Sequence, residues 1–216
     1  MSRALILVDL QNDFLPGGAL VVPDGDQVIP VANHAQPLFD VVVASQDWHP
    51  ANHGSFASSH AGREVGEQIE LAGLPQILWP THCVQESEGA RLASELETSR
   101  IDHIVYKGID PEIDSYSCFY DNGHRRSTGL ADYLREQSVE AVYLLGLATD
   151  YCVKFSALDA LAEGFTVRLI LDGCRGIDLK PGDVERALVE LRGAGVTLVS
   201  SKDLLGQAAD SDLKKS

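Results

Sequence analysis

Basic residues are scarce in this chain: 17 Lys and Arg stand against 32 Asp and Glu, a formal charge of −15. Polyanions are recognised through clustered cations, so the imbalance argues against a nucleic-acid or anionic-membrane partner. A neutral or cationic small molecule suits it better. Long apolar runs are missing as well. No stretch approaches the roughly 18 residues of a membrane span. The amino-terminal run stops at Asp9, too short for a signal-peptide core and with no small-residue cleavage site behind it. A cytoplasmic location is therefore expected. Cys83, Cys118, Cys152 and Cys174 are scattered without a CxxC pair. That argues against dithiol redox chemistry, and a chain of 216 residues needs no disulfide framework, so free thiols are expected. Internal repeats, low-complexity linkers and a glycine-rich phosphate loop are also lacking, which sets aside solenoids and P-loop enzymes.

What is present is 44% apolar residues, enough for one well-buried core. Short runs rich in Val, Ile and Leu predict strands at Ala4–Val8, Val41–Ser45, Ile104–Tyr106, Ala141–Gly146, Val167–Leu171 and Val196–Val199. Continuous rather than alternating, they suit parallel strands covered on both faces. Helical spacing follows at 153–163, stopped by Gly164, and at 184–191 between Pro181 and Gly193–Gly195. Gly89–Thr98 and Gly129–Gln137 are further helix candidates. The alternation predicts a three-layer α/β/α fold with a doubly wound, mainly parallel six-stranded sheet, in a single domain spanning 1–216. Residues 49–78 are rich in Gly, His, Ser and Glu with weak periodicity, a length of connection that usually carries function or forms a lid. The segment 205–216, ending SDLKKS, has little to bury and is expected to fray.

Three strand ends carry chemically loaded residues: Asp9, Lys107 and, after AVYLLGLATDY, Cys152. Strands of one parallel sheet share a carboxyl rim, where open α/β sheets place their sites. Cys152 opens a helix, where unpaired N–H groups and the helix dipole favour thiolate and can meet an oxyanion. By itself it is equally a small buried hydrophobe. Lys107, followed by Gly108, reads alone as a solvated lysine, but beside a thiol it lowers the thiol pKa and steadies anions. Asp9 is costly at an apolar strand end unless it caps local amides or has a catalytic task. Together the three make a base, a positive stabiliser and a nucleophile.

A second cluster supplies metal-ligand types. Asp47 and His49 are two apart and share a side of an extended chain, with His53 and His82 beyond. Carboxylate plus imidazole suits Zn, Fe or Mn with coordination positions left open, although histidines in a polar loop are often simply solvent-facing. Cys83, adjacent to His82, is disfavoured as a fourth ligand because neighbouring side chains diverge.

The segments LVDLQNDFLPGGAL, SQDWHPANHGSFAS, LWPTHCVQ, YKG, DSYSCFYDN and GLATDYCVKFSALDA span nearly the whole chain. Together they resemble the bacterial nicotinamidases, also called pyrazinamidases, cysteine amidohydrolases of the isochorismatase-like superfamily. The resemblance implies hydrolysis of nicotinamide, and of pyrazinamide, through a cysteine thioester in NAD salvage. It implies Cys152 as nucleophile, Asp9 as base and Lys107 as third member of a triad. The N–H groups of Ala148 and Cys152 would form an oxyanion hole, with a cis bond preceding Ala148. Phe14, Trp79 and Tyr116 match the aromatic lining of the substrate pocket. Asp47, His49 and His82 match the ligands of one divalent ion, zinc before iron or manganese. His53 is a candidate further ligand, with direct, indirect and water-contact roles all open. The rival readings are a metal-independent carbamoyl or small-amide amidohydrolase of the same superfamily and a non-catalytic metal-binding or docking protein. Monomer and homo-oligomer both fit.

Overall fold

A computed structural model describes residues 2–204, and the segment 205–216, expected to fray, lies outside them. Strand β1 (Ser2–Val8) sits near the middle of a six-stranded sheet and buries every side chain from Ala4 to Val8. Its neighbours are β2 (Val41–Asp47) and β6 (Val139–Leu147), where Val43 and Leu144 flank Ile6 in register. The hairpin β3 (Gln68–Leu71) and β4 (Leu74–Ile77) stands apart from that sheet. Outward from the centre lie β5 (His103–Lys107) on one side and β7 (Thr166–Arg175) then β8 (Thr197–Val199) on the other. The order is β5-β2-β1-β6-β7-β8 and every pairing within the sheet is parallel. Helices α1 (Val28–Ala35), α2 (Leu130–Glu136), α3 (Lys154–Ala162) and α4 (Asp183–Ala194) cover it in a three-layer α/β/α arrangement. Burial of the central strands on both faces is why their sequence runs are continuously apolar.

All six expected strands are present, most longer than their apolar cores. Polar ends such as Gln46–Asp47 and Lys107 still pair, since a ladder bond needs only backbone. The expected helix over Gly89–Thr98 does not form. Its backbone is already engaged: Asn12 and Asp13 donate N–H to the Arg91 and Gly89 carbonyls, and Leu92 bridges to Gln11. The Ala90 carbonyl accepts from the Gln11 and Gln46 side chains. Helix α1 has no counterpart in the sequence reading, because Pro30 stands within its first turn. Proline is tolerated there, where its missing N–H is not needed. The long polar connection resolves into turns and the hairpin β3–β4, whose two turn residues Ala72 and Gly73 both take positive φ.

Stability is concentrated in the central strands. Leu144→Ala, at a fully buried position of β6, is expected to cost about 2–5 kcal/mol by urea unfolding. Val189→Ala on α4, 60% exposed, is expected to stay within about 0.5 kcal/mol.

Candidate active and metal site

Parallel pairing brings the loaded strand ends to one rim. Asp47 and Lys107 are register partners on β2 and β5, Asp9 follows β1, and Cys152 follows β6. Asp9 has positive φ and is fully buried. The Ser45 hydroxyl donates to its Oδ1 at 2.6 Å and accepts its N–H at 3.2 Å. That anchorage leaves Oδ2 facing the centre.

Lys107 is the hub. Its Nζ lies 2.8 Å from Asp9 Oδ2, an ion pair without the alignment of a hydrogen bond. It donates to Asp47 Oδ1, to the Ser115 carbonyl at 3.2 Å and towards Cys152 Sγ at 3.4 Å. Burial works against the ammonium, yet Asp47 and Asp9 outweigh it and hold its pKa well above the ordinary value. Burial likewise works against the Asp47 carboxylate, but Lys107 and His49 keep it well below the usual range. Asp9 comes out the other way. Burial raises it more than Lys107 lowers it, so it is a stronger base than a solvated carboxylate.

Cys152 Sγ lies within 4.8 Å of carboxylate oxygens of Asp9 and Asp47. Burial pushes its thiol well above the ordinary cysteine range, and Lys107 only partly offsets this. Lys107 lowers the thiol pKa as expected, but burial and the two carboxylates outweigh it. The raised pKa favours the thiol form, and such a thiol needs a neighbouring base to act as a nucleophile. Cys152 does not open α3 directly. It lies in a single wide π-type turn, Thr149–Val153, that precedes the helix. There Tyr151 and Val153 both donate N–H to the Ala148 carbonyl at 3.1 Å, and the N–H of Cys152 between them is not spent on that acceptor. The Leu147–Ala148 peptide bond is cis.

The aromatic residues meet the thiol in one cavity, whose walls include Phe14, Trp79, Tyr116, Tyr151, Ala148 and Cys152. Tyr116 is fixed from two sides: Trp79 Nε1 and Gln76 Nε2 each donate to its hydroxyl at 3.1 Å. Gln76 arrives on β4, so the hairpin serves as a buttress of this wall.

Asp47, His49 and His82 open onto the same cavity. Each histidine Nδ1 faces a carbonyl, Gly108 at 2.9 Å for His49 and Pro80 at 2.8 Å for His82. A proton is thereby held on Nδ1, and in the neutral ring the Nε2 lone pair is left to face an ion. Both Nε2 atoms are 3.6 Å from Asp47 Oδ2. That is too long for a hydrogen bond and near the separation of about 3.4 Å that tetrahedral ligation at zinc–ligand bonds of about 2.1 Å requires. The three residues fit a divalent ion. Cys83 is not part of this group: its sulfur turns to the Gly89 carbonyl at 4.0 Å, while its N–H donates to Asp13 Oδ2 at 2.6 Å. Asp13 thus pins the His82 segment, and a side chain at Gly89 would meet its carboxylate at 2.1 Å.

These contacts place a thiol, a buried base and a buried cation beside a set of metal-ligand atoms, on the rim of a parallel sheet. The sequence matches the Isochorismatase domain family over residues 3–203. The chain belongs to the isochorismatase family. Within it, the chain is 53% identical to the nicotinamidase of Escherichia coli strain K12, over 93% of this chain and 96% of the relative. Among solved structures it superposes on the Acinetobacter baumanii nicotinamidase/pyrazinamidase with a TM-score of 0.91 at 44% identity, covering 94% and 98% of the two chains. The Pyrococcus horikoshii pyrazinamidase in complex with zinc matches with a TM-score of 0.75 at 40% identity, covering 93% and 99%.

Sequence reasoning missed several supports of this isochorismatase-family site: Ser45, Gln76, Asp114 and Gln11. The Gln11 side chain accepts the Asp47 N–H and donates to the Asp47 carbonyl, both at 2.8 Å. Only its position in LQNDF next to Asp9 hints at this, since an amide side chain carries no chemical signature. Gly108, by contrast, shows why a glycine must follow Lys107. Its φ is +64°, and a Cβ would lie 2.3 Å from His49 Cε1. Gly108→Ala is expected to displace His49 and lower the affinity of the Asp47–His49–His82 group for an added divalent ion at least about tenfold, with a loss of about 1–3 kcal/mol in stability. Chelator competition and thermal unfolding measure the two effects.

Proposed function

We propose that this chain is a nicotinamidase, hydrolysing nicotinamide to nicotinate and ammonia in NAD salvage, and that it also deamidates pyrazinamide. The observation that carries the reading is the convergence of Asp9 and Lys107 on Cys152, whose side chain lines the cavity onto which Asp47, His49 and His82 also open. The similarity to relatives named for that activity supports it. A neutral flat ring suits an aromatic cavity in an acidic protein.

Asp9 takes the Cys152 proton as sulfur attacks the carboxamide carbon. Its anchored Oδ1 and unaligned Oδ2 leave it ready to accept. The N–H groups of Ala148 and Cys152 receive the oxyanion, and Lys107 keeps the charges of Asp9 and Asp47 balanced as the proton moves. Protonated by Asp9, ammonia departs. Asp9 then draws a proton from water, which resolves the thioester to nicotinate and restores the thiol. Phe14, Trp79 and Tyr116 hold the ring. Asp47, His49 and His82 are the ligands of one divalent ion, which we assign as zinc and which would supply a Lewis-acid anchor for the pyridine nitrogen. We read residues 1–216 as one hydrolase domain with its metal-binding loop at 47–82, acting in the cytoplasm. No helix among the described residues is long and apolar enough to cross a membrane.

The decisive assay is ammonia release from nicotinamide, pyrazinamide and a panel of aliphatic and carbamoyl amides, before and after chelation. Turnover of the pyridine and pyrazine amides is expected, falling on chelation and returning with zinc. Preference for carbamoyl substrates, untouched by chelation, would instead favour the metal-independent relative. Cys152→Ala is expected to cut turnover at least about a thousandfold while leaving the fold and zinc content intact. Residual activity near wild type in that variant would sink the thiol mechanism.

A further inference from the structure

His53 is buried against His49, ring centroids 4.3 Å apart, and its Nε2 has no protein partner within hydrogen-bond reach. Its other ring nitrogen decides what that Nε2 is. The Ser55 backbone N–H donates to His53 Nδ1 at 3.2 Å, and a nitrogen that accepts carries no proton. The Ser55 hydroxyl lies 2.7 Å from the same atom, and the direction of that bond follows the tautomer. The imidazole proton therefore sits on Nε2. His49 and His82 are the reverse, protonated on Nδ1 by their carbonyl partners and bare at Nε2. Two histidines are set to ligate through Nε2, and the third is set to donate from it.

A donor needs an acceptor, and Asp114 offers one. A ring nitrogen of His53, one of His49 and a carboxylate oxygen of Asp114 lie within 4.8 Å of one another. Asp114 is buried, with Oδ1 accepting from Ser115 N at 2.8 Å and Oδ2 from Gln76 Nε2 at 3.0 Å. Each oxygen retains a further lone pair. By ligand types alone this trio reads as a second cation site, but a proton on His53 Nε2 works against ligation through that atom. A spacing of no more than 4.8 Å lies within the span of one bridging water, accepting from His53 and donating to Asp114.

We propose that His53 stands outside the ion's ligand set and donates Nε2–H to a water of the ion's hydration shell, which in turn donates to Asp114. This rests on Asp47, His49 and His82 being the ligands. His53 and Asp114 are then positioning residues that order the open side of the ion. Ser55 sets the direction of the whole arrangement by choosing the tautomer.

Long-range proton–nitrogen NMR of the zinc-loaded wild-type protein reads the tautomers directly. His53 is expected to carry its proton on Nε2, and His49 and His82 on Nδ1. Zinc bonded to His53 Nε2, or a proton on His53 Nδ1, overturns the proposal. So does a protein that takes up no zinc. His53→Gln keeps an N–H near the Nε2 position, whereas His53→Ala removes it. Zinc affinity is expected to fall about tenfold in the alanine variant and less in the glutamine variant. A loss in His53→Ala as deep as that in His82→Ala would show direct ligation and overturn it equally. None of these readouts uses an amide substrate. A zinc-loaded protein with the expected tautomers but no ammonia release would fail the proposed activity and leave this inference intact.

Discussion

The site depends on a buried ammonium. Lys107 Nζ contacts Asp9, Asp47 and Cys152 at once. Removing such a group from water costs several kcal/mol, which only close opposite charges and satisfied donors offset. Here two carboxylates and the Ser115 carbonyl do so. The cation in turn makes it tolerable to bury Asp9 and Asp47. Because Asp47 gives Oδ1 to Lys107 and turns Oδ2 to His49 and His82, one carboxylate joins the thiol chemistry to the metal ligands. The two halves of the site are electrostatically one object.

Topology explains why this cluster lies where it does. The strand order reverses at β1, with β2 on one side and β6 on the other. Carboxyl ends at such a switch point diverge and leave a crevice. Asp9, Asp47 and the Ala148–Cys152 turn border it from three adjacent strands. Lys107 reaches in from the edge strand, where register sets it beside Asp47. The crevice is closed by segments outside the sheet: the Trp79–His82 stretch, held through Asp13, and the hairpin that carries Gln76.

The thiol's raised pKa changes how the chemistry is understood. Many reactive cysteines are kept as thiolates by a helix terminus or a cation. Here burial and two neighbouring carboxylates prevail, so Cys152 rests protonated. The same burial raises Asp9, which makes that carboxylate a better proton acceptor than a solvated one.

The sheet and the candidate site groups were both readable from residue order. Continuous Val, Ile and Leu runs specify buried parallel strands, and Asp9, Lys107, Cys152, Asp47, His49 and His82 declare their chemistry by side-chain type. The supports were illegible because Gln11, Ser45, Gln76 and Asp114 act through contacts made far along the chain. The same holds for Gly89–Thr98, whose helical pattern yields to backbone bonds with residues 11–13. Only the tertiary structure sets the partners of each imidazole nitrogen. Whether a histidine ligates or donates depends on what faces its other nitrogen, a carbonyl at His49 and His82 and an N–H at His53. Residue type supplies the ring, and only the fold supplies the partner that orients its proton.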